Sequence, residues 1–154
     1  MDIKIEMPKI EDLEKVNTLA KQVHEMHVAW RPDLYLRVEE VIQKEYFESL
    51  IENEEIFVAK LENEIVGYVT ISMQEKNHHG LKFRKYLKID AICVDEKWRE
   101  KGIGNALLNF AKDFGKKNGC TDLSLTVNRE NEKAIKVYEN FGMKVKSIAY
   151  SMEI

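Results

Sequence analysis

A chain of 154 residues, 44% hydrophobic and with only 2 prolines, can bury one sizeable core and leaves little room for a second, so residues 1–154 are expected to form a single domain. Its 24 basic residues stand against 27 acidic ones, and a formal net charge of -3 gives no global electrostatic reason to bind nucleic acid; any anion site must be local. The start, Met1-Asp2-Ile3-Lys4-Ile5-Glu6, lacks an apolar signal core and no later run reaches membrane-spanning length, so a soluble, cytoplasmic protein with no membrane partner is expected.

Ile3, Ile5 and Met7 alternate with polar residues, as in a half-exposed strand, until Pro8 breaks the pattern. Leu13, Val16, Leu19, Ala20, Val23, Met26 or His27, and Trp30 then recur at helical spacing, which predicts one apolar helix face up to Arg31-Pro32. Trp30 to Arg37 reads as a loop, and Val38, Val41, Ile42, Tyr46 and Leu50 as a second amphipathic helix. From Ile56 to Met73, β-branched and aromatic residues flank Glu62-Asn63-Glu64, predicting a hairpin. The polar stretch from Glu75 to Lys85, with His78-His79-Gly80, reads as a surface loop. Tyr86 to Val94 is apolar enough, Lys88 and Asp90 aside, for a strand covered on both faces.

The next helix carries Leu107, Leu108, Ala111 and Phe114 and ends around Gly115 and Gly119. Leu123, Leu125 and Val127 alternate as a strand. Asn131 to Phe141 has helical spacing and stops at Gly142, and Met143 to Ile154 returns to strand-like alternation. Cys93 lies in an apolar strand and Cys120 follows a helix stop, without CxxC or His/Cys spacing, so neither a disulfide framework nor a metal site is expected. The order is strand, two helices, three strands, helix, strand, helix, strand: an α/β chain with helices packed on a mixed sheet.

Three places can carry chemistry. Ile92-Cys93-Val94 runs into Arg99-Glu100-Lys101-Gly102-Ile103-Gly104-Asn105, a basic, glycine-punctuated turn before a helix. Glycines let the main chain approach a ligand, and the first N–H groups of the helix point at an anion; a tight turn before an ordinary helix has the same pattern. Asp90 shares parity with Ile92 and Val94 on a regular strand, which makes it either a salt-bridged carboxylate or a general base raised by burial. Asn131, Ala134 and Tyr138 lie on one helical stripe, where a tyrosine is either core or a proton donor.

Together these segments resemble the GNAT superfamily of N-acetyltransferases over nearly the whole chain in element order. Arg99 to Gly104 looks like that family's RxxGxG turn, and Asn131 to Met143 is similar to its NxxAxxxY segment ending in phenylalanine-glycine. The resemblance implies a mixed, mostly antiparallel sheet of six to seven strands flanked by about four helices, with the strands carrying Val94 and Leu125 splayed around acetyl-CoA. It further implies that main-chain groups of Ile92, Cys93 and Val94 meet the pantetheine arm and that Arg99 to Gly104, with Asn105, hold the pyrophosphate. On the same resemblance Asn131 and Ala134 would line the cofactor arm, and Tyr138 would protonate the departing thiolate. Asp90 stands where polyamine and thialysine acetyltransferases carry a glutamate, and its shorter side chain favours action through water. His24 and His27 are the rival bases; with Trp30, Asp33, Tyr35 and Asp90 they are expected at the acceptor pocket.

The expected activity is transfer of an acetyl group to a primary amine, most readily a small molecule. Alternatives are a protein N-terminal or lysine acetyltransferase and a non-catalytic acyl-CoA sensor. A nucleotide site is disfavoured because the turn lacks GxGxxG and a GK[ST] ending. Relatives commonly dimerise, so a homodimer is carried by the resemblance and not by any segment of this chain.

Overall fold

The computed structural model describes all 154 residues. The alternation at the start becomes a short strand, β1 (Lys4–Glu6), and after a single 3-10 turn the chain enters α1 (Leu13–Trp30). Helix α2 covers only Lys44–Glu52, not the expected stretch from Val38. The reason is local competition for the main chain: the Asn17 carboxamide accepts from the Ile42 N–H (2.8 Å) and donates to the Ile42 carbonyl (2.9 Å). Those groups are therefore spent on α1 and not on a helical ladder, while Ile42 is buried by the same contact.

The expected hairpin is present as β2 (Ile56–Leu61) and β3 (Glu64–Lys76), turning through Glu62 and Asn63, both left-handed (φ 48° and 69°). Strand β4 (Arg84–Val94) is longer than expected, and β3 with it, so the polar stretch from Glu75 is largely ladder and the loop shrinks to residues 77–83. Helix α3 (Ile103–Lys117) and strand β5 (Asp122–Leu125) follow, then α4 (Glu132–Phe141). The Asn131 side chain caps α4 by accepting from the Ala134 N–H, and left-handed Gly142 (φ 107°) ends it.

The sheet runs β1-β2-β3-β4-β5; the first four strands are antiparallel, and β4 and β5 are parallel. Both faces are covered. Phe57, Ala59, Val69, Leu87 and Ile89 pack against Ile103, Leu107, Leu108 and Ala111 of α3, and on the other face Ile56, Val58 and Tyr68 pack against Val16, Leu19 and Phe47 of α1 and α2. This is why the strands read as near-continuous apolar runs. No helix is long and apolar enough to cross a membrane.

Five strands form where six to seven were expected, with the expected four helices. Residues 143–154 contain no regular element, and their alternating apolar side chains are exposed. Alternation marks a face that can be buried, but a strand also needs a neighbour for its N–H and C=O groups, and nothing in this chain pairs with that segment.

Candidate functional site

The site starts from an irregularity in β4. Ile89 pairs with Ile71 and Ala91 with Thr70, so Asp90 is the extra residue of a β-bulge. The bulge inverts the parity of the strand. Leu87 and Ile89 belong to the α3-side core; past the bulge that side is taken by Ile92 and Val94, while Cys93 turns to the α1 side. Asp90 therefore does not share a face with Ile92 and Val94 as regular alternation predicts. Its charge instead bears on Tyr46 of α2, whose phenol is pushed up first by burial and then by Asp90 and Glu55. Nor is Asp90 dry: its side chain is 32% exposed, with the Lys88 ammonium 3.8 Å away.

At the same point the sheet opens. Pairing between β4 and β5 runs from Tyr86–Asp122 to Ile89–Leu125 and stops, so Asp90 to Val94 have no strand partner on that side. The expected splay is present, and it coincides with the bulge because β5 is only four residues long.

Beyond Val94 the chain turns through Asp95 to Gly102. The Asp95 carboxylate, 4% exposed, accepts from the Lys97 N–H (3.2 Å) and the Gln22 amide (3.3 Å), with the Lys15 ammonium at 3.5 Å. Burial pushes this carboxyl up, but those donors together outweigh it and hold it below its ordinary value. Glu100 (φ 62°) and Gly102 (φ 86°) are both left-handed, which bends the turn into a concave run of N–H groups. The first main-chain bond of α3 is from the Ala106 N–H to the Gly102 carbonyl (3.0 Å). The N–H groups of Ile103, Gly104 and Asn105 are thus the helix's unpaired donors. A Cβ at Gly102 would meet nothing within 4 Å, and one at Gly104 only the Val94 Cγ2 at 4.0 Å, so space for an anion lies over these amides. The Arg99 Nε donates back to the Val94 carbonyl (3.0 Å), which fixes the turn on β4. Glu100 and Lys101 are exposed on its outside.

Cys93 faces away from this cradle. Its thiol donates to the Leu19 carbonyl (3.2 Å), lies against the Tyr68 phenol, and is pushed up to about 12 by burial. It stays protonated and unreactive. Tyr138, half-buried among the α3-side core, is also pushed up to about 12, by burial and then by its proximity to Cys93. Its phenol keeps its proton throughout the neutral range. Tyr68 and Cys93 thus meet on the α1 side of the sheet, and Tyr138 stands on the α3 side. Tyr68 carries no sequence signal, because a tyrosine in a buried run looks like core. Gln22, a lone amide on α1, is equally silent until its partners are seen.

The expected acceptor residues form a second group at the end of α1. His27 packs edge-on against Trp30 (5.5 Å between ring centres) and tilted against Tyr35 (5.2 Å), and His24 lies 6.0 Å from Tyr35. The His24 Nε2 donates to the Leu36 carbonyl (2.6 Å) and the His27 Nδ1 to the Val23 carbonyl (3.0 Å). A carbonyl can only accept, so these bonds fix which nitrogen carries the proton in the neutral ring. Asp33 is held by Arg31 through two hydrogen bonds (3.0 and 2.7 Å) and joins no aromatic contact. His78 and His79 stack on each other in the exposed loop.

Residues 20–143 match the family described as "Acetyltransferase (GNAT) family". Over 105 residues the chain is 32% identical to "Uncharacterized N-acetyltransferase MJ1207" of Methanocaldococcus jannaschii, covering 67% of this chain and 46% of that protein. It is 30% identical over 89 residues to "L-amino acid N-acetyltransferase AaaT" of Escherichia coli, covering 57% of this chain and 52% of that protein. The matches thus span about half the length of these relatives. Among solved structures, a tetramutant of the BH1408 protein from Bacillus halodurans superposes with a TM-score of 0.92 at 27% identity, over 100% of both chains.

Proposed function

This chain belongs to the acetyltransferase (GNAT) family, and from that premise we propose that residues 1–154 are one acetyl-CoA-binding domain that acetylates the primary amine of a small molecule by direct attack. The observation that carries the reading is a coincidence at one end of β4: the bulge at Asp90, the loss of β5 pairing past Ile89, and the open N–H cradle from Ile103 to Asn105. An opened parallel pair offers the main chain of Ile92 and Val94 to an extended, amide-bearing arm, and unpaired helix-start amides suit its pyrophosphate. The empty space over Gly102 and Gly104 fits such a group. Acetyl-CoA supplies the activated thioester.

The chain's own groups then divide the work. Asn131 spends its Oδ1 on capping α4, so its Nδ2 is the end left to donate to the cofactor arm beside Ala134. A main-chain N–H near Val94 steadies the oxyanion. Tyr138 holds its proton until a departing thiolate takes it. Asp90, partly exposed and one bulge removed from the Ile92 face, takes the amine's proton through water. The ring nitrogens of His24 and His27 that make no carbonyl bond are the competing acceptors. The aromatic group of His24, His27, Trp30 and Tyr35 forms the acceptor wall, with Asp33 at its rim. A small acceptor is favoured because the related protein AaaT is named for L-amino acids.

Purified protein is supplied with acetyl-CoA and a panel of L-amino acids, polyamines, aminoglycosides and peptide amines, and free CoA thiol is followed. Turnover with a small amine supports the reading, turnover confined to peptides moves the acceptor to a protein, and CoA binding without turnover against any amine makes the chain a sensor.

A further inference from the structure

Strand β4 carries two opposite charges on the face that α1 and α2 cover only in part. Leu87 and Ile89 belong to the α3-side core, so Lys88 between them points to the other face. The bulge brings Asp90 to the α2 side as well, where its charge bears on Tyr46. The Lys88 ammonium and the Asp90 carboxylate stand 3.8 Å apart, beyond hydrogen-bond distance, and their side chains are 45% and 32% exposed. Each therefore keeps directions open for a partner other than its neighbour.

The neighbouring strands frame this pair with hydroxyls. Ser72 of β3 and Ser124 of β5 are the cross-strand partners of Lys88, one on each side. Ile71, Leu123 and Leu125 lie on the α3-side core, so both serines share the face of Lys88. The Ser72 Oγ accepts from the Gln74 amide (3.2 Å), which leaves its own proton to donate elsewhere. One step nearer the bulge is Thr70, paired with Ala91 and only 3% exposed. No hydrogen bond engages its hydroxyl, and no sealed polar side-chain atom in the protein lacks a partner, so its Oγ1 looks out onto the same recess. The row Ser72-Lys88-Ser124 is an ammonium with a hydroxyl on each side, the donor set that a carboxylate takes. Asp90 lies two residues further on, the first residue past the last β4–β5 pair, where the sheet opens.

We infer that this row seats a free α-amino acid, its carboxylate on Lys88 between Ser72 and Ser124 and its amino group at Asp90. An α-amino acid holds its nitrogen and its carboxyl carbon about 2.5 Å apart, and two opposite charges on one strand, separated by little more, receive the two ends together. The charge along this face has the matching sense. Below Lys88, the ammonium groups of Lys76 and Lys146 stand over the Tyr86 ring (5.9 and 5.5 Å), whereas above it Asp90 and Glu55 both bear on Tyr46. The inference rests on the acetyl transfer proposed above and names its acceptor. The amine nitrogen bonds the acetyl carbon, the carbon–sulfur bond breaks, the amine's proton leaves through Asp90, and the thiolate takes one from Tyr138. An amine without a carboxylate, or a peptide whose first carboxyl is an amide, leaves Lys88 unpaired.

The full chain is titrated calorimetrically, with CoA present, against the common L-amino acids and their amides, and the same pairs are compared as acceptors with acetyl-CoA. An amino acid is expected to bind about tenfold or more tightly than its amide. Lys88→Met keeps the stem and deletes the charge. It is expected to lower the ratio of kcat/KM between an amino acid and its amide by about 10–100-fold, through KM and with kcat nearly kept, and to leave the circular dichroism spectrum unchanged. Absence of binding by every amino acid, or a Lys88→Met protein with the wild-type ratio, overturns the seat. A variant that loses both substrates in equal measure overturns it too, because Lys88 is then a structural residue only. Lys88-dependent binding of amino acids without turnover keeps the seat and rejects the transferase reading; turnover of amines without regard to the carboxylate does the reverse.

Discussion

Gln22 of α1 and Asp95 at the head of the glycine turn are joined across 73 residues of sequence: the Gln22 amide donates to the Asp95 carboxylate at 3.3 Å, and its carbonyl accepts from the neighbouring Glu96 N–H at 3.0 Å. One side chain thus ties the helix that bears His24, His27 and Trp30 to the glycine turn that leads into α3. Gln22→Ala removes both bonds and leaves the Lys97 N–H and Lys15 to hold Asp95. The expected result is a loss of about 1–2 kcal/mol in stability and a KM for acetyl-CoA raised by about tenfold, with kcat nearly kept. Urea unfolding and steady-state kinetics read the two effects separately, and an unchanged KM removes Gln22 from cofactor positioning.

The same carboxylate sets an acid limit. Its folded pKa is depressed, so its contribution is complete above the unfolded value of about 3.9 and is lost as pH falls through the lower folded value. Wild-type stability should therefore drop as pH goes below about 4, and Asp95→Asn should start lower and show a shallower drop. Thermal melts from pH 7 down to pH 3 compare the slopes; parallel slopes refute the assignment.

Tyr138→Phe keeps the ring that packs against the α3-side core and deletes only the hydroxyl. The expected outcome is a fall in kcat of about 10²-fold with acetyl-CoA binding retained. With the phenol pushed up to about 12, wild-type activity should show no alkaline limb from this residue below about pH 11. An unchanged rate in the variant takes Tyr138 out of the chemistry.

Two glycines separate fold from ligand. A Cβ at Gly67 would lie 2.9 Å from the Cys93 carbonyl and 3.2–3.3 Å from Leu107 and Ile103, so Gly67→Ala should cost about 1–3 kcal/mol by forcing β3, β4 and α3 apart. Gly104 faces open space, and Gly104→Val should melt close to wild type while raising the KM for acetyl-CoA severalfold. Melting curves and kinetics on both proteins check the contrast; equal melting losses would sink it.

For the base, Asp90→Asn should lower kcat by about 10–10³-fold, with the fold unchanged because the side chain is partly exposed. If His27→Ala lowers kcat to that extent and Asp90→Asn does not, the proton goes to the α1 group instead.

The sequence alone carried many local instructions: the hairpin at Glu62-Asn63, the apolar face of α1, the glycine turn, and the stop at Gly142. These are set within one or two turns of chain, by left-handed backbone and the period of apolar residues, so they are legible in order and spacing. What tertiary structure decided is where partners are. Asp90 lost its predicted face because a bulge forms only when β3 and β4 are paired, and parity counted along one strand cannot register it. Residues 38–43 left the helix because Asn17, 25 residues before Ile42, captured the Ile42 main chain. Residues 143–154 have the alternation of a strand and no neighbour within the chain, since periodicity reports which side chains seek burial and is silent on which edge will receive them.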